Sequence, residues 1–382
     1  MSAEFIKMIS ELHEERFKMH LVELVKNQTP CGVFFSFGFN SSRAAKNVQM
    51  IIKAKVNLTC AIVLDTVQEE QLKDLIELPV VTLDNVPFLN EKPKTVLILN
   101  ELRDPAFIPY FAQYGIKMIK FIQNDNFSPV MKHLPEIFSV YEMLGSDESK
   151  KVFRAVIKGR LTGRVSEYRF APEPQYFLKG FTPNMGDIAI DGGAYDGATA
   201  LKFNRCGAKV YSFEMDAKNY QNCTDNLKSL KTDITLENLG LSDKEGEENY
   251  YSSGTGSRKN VKGTVTGKFI DLDTYVLRKN LPRVDYIKLD IEGAELEMLH
   301  GAAKTIARCK PKMAVSAYHK SEDLWTLAPY IKSLCPDYKF EFRHYLNDCT
   351  NYSLNDNERA VLKRFGLSYL LPSHCEMVLY CR

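Results

Sequence analysis

The sequence predicts an α/β protein of two wound domains, a smaller one followed by a larger one. Three observations carry this. Short apolar runs alternate with segments of helical period between residues 32 and 122, and again between 187 and 317, the pattern of parallel sheets wound with helices. A strand, a glycine turn and a helix N-terminus follow one another in Asp187-Ile-Ala-Ile-Asp-Gly-Gly-Ala-Tyr-Asp-Gly-Ala-Thr199. Three successive strands of the second half end in an acid: Asp191, Glu214 and Asp290.

Composition narrows the class. A chain of 382 residues can bury two ordinary cores. With 45% hydrophobic and 26% charged residues it reads as a soluble globular protein. A net charge of +2 gives no support for a nucleic-acid partner or an anionic membrane. No apolar run reaches the ~18–20 residues that span a bilayer, so no stable membrane insertion is expected. Glu4, Glu11, Glu14 and Glu15 come early, where a secretory leader would need an apolar core. Nine cysteines are scattered without C-x-x-C spacing, so they read as reduced thiols and a cytoplasmic location is expected.

In chain order, residues 3–26 repeat Phe5, Ile9, Leu12, Leu21, Leu24 and Val25 at helical spacing. This predicts an N-terminal helix over 1–29, packed on a domain or on a second subunit of a homo-oligomer. The small Rossmann-like domain is placed at 30–125. Its strands are expected at 33–38, 58–64, 80–83, 95–99 and 117–122, and its helices at 41–53, 68–76 and 107–114. Its first turn, Ser36-Phe-Gly38-Phe-Asn-Ser-Ser-Arg43, has one glycine where a dinucleotide turn has three. It reads either as a sugar-nucleotide pocket or as a degenerate scaffold. Residues 126–167 form a helical basic linker, with Lys150, Lys151, Arg154, Lys158, Arg160 and Arg164 unrelieved by acids. That run is a solvated helix face or, more sharply, a seat for phosphate or an anionic glycan carrier.

The larger domain is placed at 168–382. Helices are expected at 197–206, 217–230 and from 293 to 308, and strands at 209–213, 234–239, 284–289, 312–317, 338–345 and 376–381. Residues 252–268, rich in glycine and serine, read as a mobile loop.

The chemistry gathers at strand C-termini, which share one edge in an open α/β sheet. Gly192, Gly193 and Gly197 let a ligand approach the backbone. The spacing is not G-x-G-x-x-G, and a carboxylate at the strand tip would repel a pyrophosphate. The same charge attracts an amine and a sulfonium, which points to S-adenosylmethionine rather than NAD. Glu214, about 20 residues beyond Gly193, suits ribose hydroxyls. Asp243 follows the third strand, where an adenine edge would lie. His319 ends a fourth strand, where a neutral imidazole could take a proton. Asp290 and Glu292 stand as its orienters or as the base itself. His344 and Asp323 rank behind them. Asp290, Glu292 and His319 could form a facial metal set, but no metal is expected from the spacing.

Together Asp191-Gly-Gly-Ala-Tyr-Asp-Gly197, Phe213-Glu-Met-Asp216, Lys288-Leu-Asp-Ile-Glu-Gly-Ala-Glu295, Tyr318-His-Lys-Ser-Glu-Asp323, Phe342-Arg-His-Tyr345 and Met377-Val-Leu-Tyr380 resemble the FkbM family over residues 168–382. The resemblance implies a Rossmann-like class I methyltransferase domain, a mostly parallel sheet with an antiparallel last strand. It implies an S-adenosylmethionine-dependent O-methyltransferase whose acceptor is a hydroxyl of a sugar in a glycan, glycolipid or nucleotide-sugar. It also assigns the Gln175-Tyr176-Phe177 phrase to that domain. The expected cofactor site is then Gln175, Asp191, Gly192, Gly193, Tyr195, Gly197, Glu214, Met215, Asp243 and Asp290, and the expected catalytic set is His319, Asp290 and Glu292. Residues 346–374 separate the last two phrases as an insertion, and the smaller domain lies outside the resemblance. Two other classes stay open: a nicotinamide-dependent enzyme of nucleotide-sugar metabolism, and a glycan- or carrier-binding module with a vestigial site.

Overall fold

The computed structural model of the chain describes residues 21–36, 39–99, 107–120, 130, 132–162, 167–348, 356–367, 370–371 and 376–382. Contacts group the chain into two compact units. The first comprises Met1–Ser128, Arg154–Arg169 and Leu346–His374, and the second comprises Pro129–Phe153, Phe170–Tyr345 and Cys375–Arg382. Among the described residues, no helix is long and apolar enough to cross a membrane.

The first unit holds strands β1 (Cys31–Phe35), β2 (Leu58–Val63), β3 (Val80–Thr82), β4 (Thr95–Ile98) and β5 (Lys117–Lys120) in the order β3-β2-β1-β4-β5. All pairings are parallel, as the alternation of strand and helix requires. β1 is buried along its whole length, the mark of a strand covered on both faces. One face packs Phe34, Ile62, Phe107 and Phe111, and the other packs Val33, Val48, Ile51 and Ala61. Leu362 and Leu367 enter the first of these cores, so the segment read as an insertion in the larger domain groups with this unit. Its helix Asp356–Arg364 also pairs Arg364 with Asp84. Gly38 and most of the N-terminal helix lie outside the described residues, which begin that helix at Leu21–Lys26. Beyond the first turn, Asn40 caps helix Ser41–Lys53 by accepting the Arg43 N–H. With one glycine in that turn, NAD is expected to produce no binding heat that depends on this unit. A dinucleotide seated at the end of β1 in a soaked crystal would contradict that.

The second unit is built on β6 (Ile188–Gly192), β7 (Lys209–Phe213), β8 (Ile234–Glu237), β9 (Gly240–Ser242), β10 (Gly246–Tyr251), β11 (Arg258–Lys259), β12 (Val265–Asp271), β13 (Tyr286–Leu289), β14 (Lys312–Ser316) and β15 (Phe340–His344). Two short strands, β16 (Asn347–Asp348) and β17 (Leu370–Leu371), pair with each other in the first unit, and β18 (Met377–Cys381) returns to the second. The main sheet runs β15-β18-β14-β13-β6-β7-β8. β14, β13, β6, β7 and β8 are parallel, and β18, the last strand, is antiparallel to both neighbours. This is the predicted sheet.

A second sheet of order β11-β10-β12-β9 takes β11 and the start of β12 from the stretch that reads as a mobile loop in sequence. Two glycines there serve close packing instead. A Cβ at Gly263 would lie 2.4 Å from the Tyr250 backbone, and one at Gly267 would touch the Tyr250 ring. The long helix expected after Gly293 is two helices, Glu295–Gly301 and Ala303–Cys309. At the break, a Cβ on Gly301 would sit 2.2 Å from the Ser242 carbonyl, so glycine lets the helix approach the end of β9. The basic run from Lys150 to Arg160 lies on helix Asp147–Thr162, where Arg160 is buried and Lys158 pairs with Glu167 at 2.9 Å; Arg164 lies outside the described residues. It is therefore only partly a solvated face.

Candidate functional site

Ile188, Ala189 and Ile190 make β6 a central strand, and the same burial takes in Asp191, which is wholly inaccessible. A buried carboxylate needs a partner. The register supplies two, Lys288 from β13 and Ser212 from β7. Lys288 Nζ lies 3.2 Å from Asp191 Oδ1 and donates to the carbonyls of Gly192 at 3.0 Å and Gly193 at 2.7 Å. Ser212 Oγ donates to Asp191 Oδ2 at 2.6 Å. Asp191 is thus paired inside the sheet. It holds the ammonium that holds the turn.

The turn itself requires glycine at 193. Its φ is +84°, and a Cβ there would lie 1.9 Å from the Asp290 carbonyl. Gly197, at φ +81°, opens helix Ala198–Arg205. Between them Tyr195 takes a left-handed φ of 50° and turns its N–H onto Glu214 Oε2 at 2.8 Å. Glu214 also accepts the Asp216 N–H on Oε1 at 2.9 Å. Burial pushes its carboxyl up, against the two backbone bonds, which favour the ionised form. Each oxygen keeps a lone pair for a further donor. Met215 follows, partly exposed.

The next two tips along the edge, those of β13 and β14, gather the other expected residues. Asp290 Oδ2 accepts the Tyr176 hydroxyl at 2.8 Å, and Oδ1 accepts the Tyr318 hydroxyl at 3.3 Å. Burial opposes its ionisation, but Lys288, His319 and the hydroxyls of Tyr176 and Ser316 outweigh that and hold it below the ordinary carboxylate range. His319 is 7% exposed, with Nδ1 2.7 Å from Glu295 Oε1. Its Nε2 lies 3.5 Å from Asp290 Oδ1 and 3.6 Å from Glu292 Oε1. Burial disfavours its charge, yet the carboxylates of Glu295, Glu292 and Asp290 prevail and raise the imidazole well above its usual range. The direction of that shift runs against the neutral base expected from the sequence. Glu292 and Gly293 both take left-handed φ, 55° and 97°, turning the chain sharply after β13.

Asp243 follows a short strand, β9, that the sequence did not predict and that belongs to the second sheet. Asp243 is exposed beside Ser242, in a group with Glu248 and Glu297, whose carboxylates pair with Lys259. A cavity of about 650 Å³ is lined by this group's Glu248, Glu297 and Lys259, and by Glu292, His319 and Lys320.

Sequence reasoning brought Asp290, Glu292 and His319 together correctly but missed their supports. Gln175 Nε2 donates to Glu376 Oε2 at 2.7 Å, and Tyr176, at φ 67°, reaches both Asp290 and Ser316. Burial, then the Asp290 charge, pushes Glu376 up to about 7. Burial and Glu295 do the same to Asp323, also to about 7. Lys288 opens one of the phrases that carry the family resemblance, but nothing in the sequence pointed to its pairing with Asp191. His344 is fully buried against Phe170, away from the cluster.

Comparison with known proteins agrees with this geometry. The family model described as methyltransferase FkbM domain matches residues 191–351. A hexuronic acid methyltransferase, AglP of Haloferax volcanii, is 28% identical over 103 residues, which cover 26% of this chain and 43% of that relative. The chain thus spans less than half of that relative's length. A crystal structure of a methyltransferase FkbM from Methylobacillus flagellatus shares the fold at TM-score 0.68 and 20% identity, covering 100% of this chain and 99% of that one. Residues 191–351 of this chain are thus similar to the methyltransferase FkbM domain.

Proposed function

We propose that the chain methylates a hydroxyl of a sugar in a glycan, glycolipid or nucleotide-sugar, using S-adenosylmethionine. One observation supports this most. The glycine turn and Glu214, on β6 and β7, adjoin the Asp290–Glu292–His319 cluster on β13 and β14, so a donor cleft and a proton-handling cluster share one sheet edge. The donor set suits the cofactor. A buried carboxylate with free lone pairs stands where ribose hydroxyls would bind, and a turn without a Cβ stands beside it. The hexuronic acid methyltransferase relative favours a sugar acceptor.

When bound, S-adenosylmethionine supplies an electrophilic methyl carbon on a sulfonium. Glu214 holds the ribose, and the Gly192–Gly193 turn is kept in shape by Lys288. Tyr195, Met215, Gly197 and Gln175 complete the cofactor wall. The acceptor hydroxyl is held in line behind the methyl carbon, and such placement is worth ~7–11 kcal/mol in favourable cases. The acceptor's proton would pass to the Asp290–Glu292–His319 cluster, whose carboxylate oxygens can accept it.

Glu214→Ala should weaken S-adenosylmethionine binding about ten- to a hundredfold, the loss of a charged hydrogen-bond partner worth ~1.5–3 kcal/mol. Calorimetry on protein of unchanged melting temperature checks this. An unaltered dissociation constant removes Glu214 from the cofactor site.

A further inference from the structure

His319 Nε2 is buried and has no hydrogen-bond partner, although the ring lies among three carboxylates. The Asp290 and Glu292 oxygens, 3.5 and 3.6 Å away, lie beyond hydrogen-bond range. They are nonetheless within reach of a cation set between them and the ring. The ligand atoms that Asp290, Glu295 and His319 offer lie within 4.8 Å of one another. We infer that Asp290, Glu292 and His319 Nε2 form a divalent-cation site for a first-row metal of the Mn²⁺ kind, with Glu295 as its outer support.

The ring decides which acid is outer. Glu295 Oε1, 2.7 Å from Nδ1, also accepts the Ile291 N–H. It fixes a tautomer with the proton on Nδ1 and the lone pair on Nε2, as carboxylates behind metal-bound histidines do. Asp290 is aimed in the same way, its Oδ2 accepting from Tyr176 and its Oδ1, which also accepts the Tyr318 hydroxyl, facing the ring. Glu292, with a side chain 30% exposed, lines the cavity with His319 and gives the cation a way in. One imidazole with two carboxylates suits Mn²⁺, Fe²⁺ or Zn²⁺ better than a thiolate-seeking metal. The other acidic group, Asp243, Glu248 and Glu297, already holds the Lys259 ammonium and needs no metal.

That the cation serves the acceptor hydroxyl rests on the function proposed above; that it binds does not. The test is titration of Mn²⁺ into the full-length chain without cofactor or acceptor, followed by calorimetry and electron spin echo spectroscopy. One Mn²⁺ per chain is expected, with modulation from a histidine nitrogen. His319→Ala should abolish the modulation and weaken binding at least tenfold. Glu295→Gln should weaken it about ten- to a hundredfold while keeping the histidine signal. If either of these variants fails to fold, Glu292→Gln, altered at the more exposed ligand, should still lose about tenfold. Wild-type protein that takes no Mn²⁺ at millimolar concentration, or binds it without a histidine signal, would overturn the site. Metal binding without methyl transfer would instead leave the site standing and remove the methyltransferase reading.

Discussion

His319→Ala is expected to keep S-adenosylmethionine affinity within about threefold and to slow methyl transfer by ~10²–10⁴-fold. Affinity survives because Glu214 and the glycine turn belong to β6 and β7, whereas His319 ends β14. Rate is lost because the imidazole, which Glu295 holds in place, lies beside the Asp290 and Glu292 carboxylates. Without it, neither a proton nor a cation can be managed where the acceptor hydroxyl loses its own. Single-turnover transfer at several pH values checks this. Added divalent metal should speed the wild type, and a chelator should slow it. A merely structural histidine would give the opposite pattern, a lower melting temperature with a normal rate per folded molecule.

Lys288→Met is expected to destabilise the protein by about 3–5 kcal/mol, because it leaves the Asp191 carboxylate buried and unpaired. For a unit of this size that lowers the melting temperature by roughly 6–20 °C. The Gly192 and Gly193 carbonyls lose their donor at the same time, so cofactor affinity should fall as well. Removing both charges, as Asp191→Asn with Lys288→Met, should recover much of the stability, since the pair is coupled through one contact. Had Asp191 bound the ligand directly, the double variant would regain no stability over Lys288→Met alone. Thermal melts of the two single variants and the double variant decide this.

The parts of the site legible in the sequence are those encoded locally. The turn at 187–199 is spelled by adjacent residues, and period and glycine together fix where β6 ends and its helix begins. Glu214, Asp290 and His319 were found by the rule that parallel strands share a C-terminal edge, which needs no knowledge of contacts. What was hidden depends on partners distant along the chain. Asp191 points inward because Lys288 and Ser212 stand opposite it, which only the sheet register reveals. Tyr176 and Glu376 come to the cluster from opposite ends of the domain. The strand Gly240–Ser242 before Asp243 was hidden because it follows Ile234–Glu237 closely yet enters another sheet. At 252–268, glycine chosen for packing on Tyr250 resembles glycine chosen for flexibility.

The most direct test of the central claim, that the Glu214 edge is a methyl-donor site, is calorimetric titration of the full-length chain with S-adenosylmethionine and, separately, with NAD. One S-adenosylmethionine site per chain, weakened by Glu214→Ala and unaffected by NAD, is the expected result. Saturable NAD binding that Glu214→Ala weakens, with no heat from S-adenosylmethionine, would contradict it.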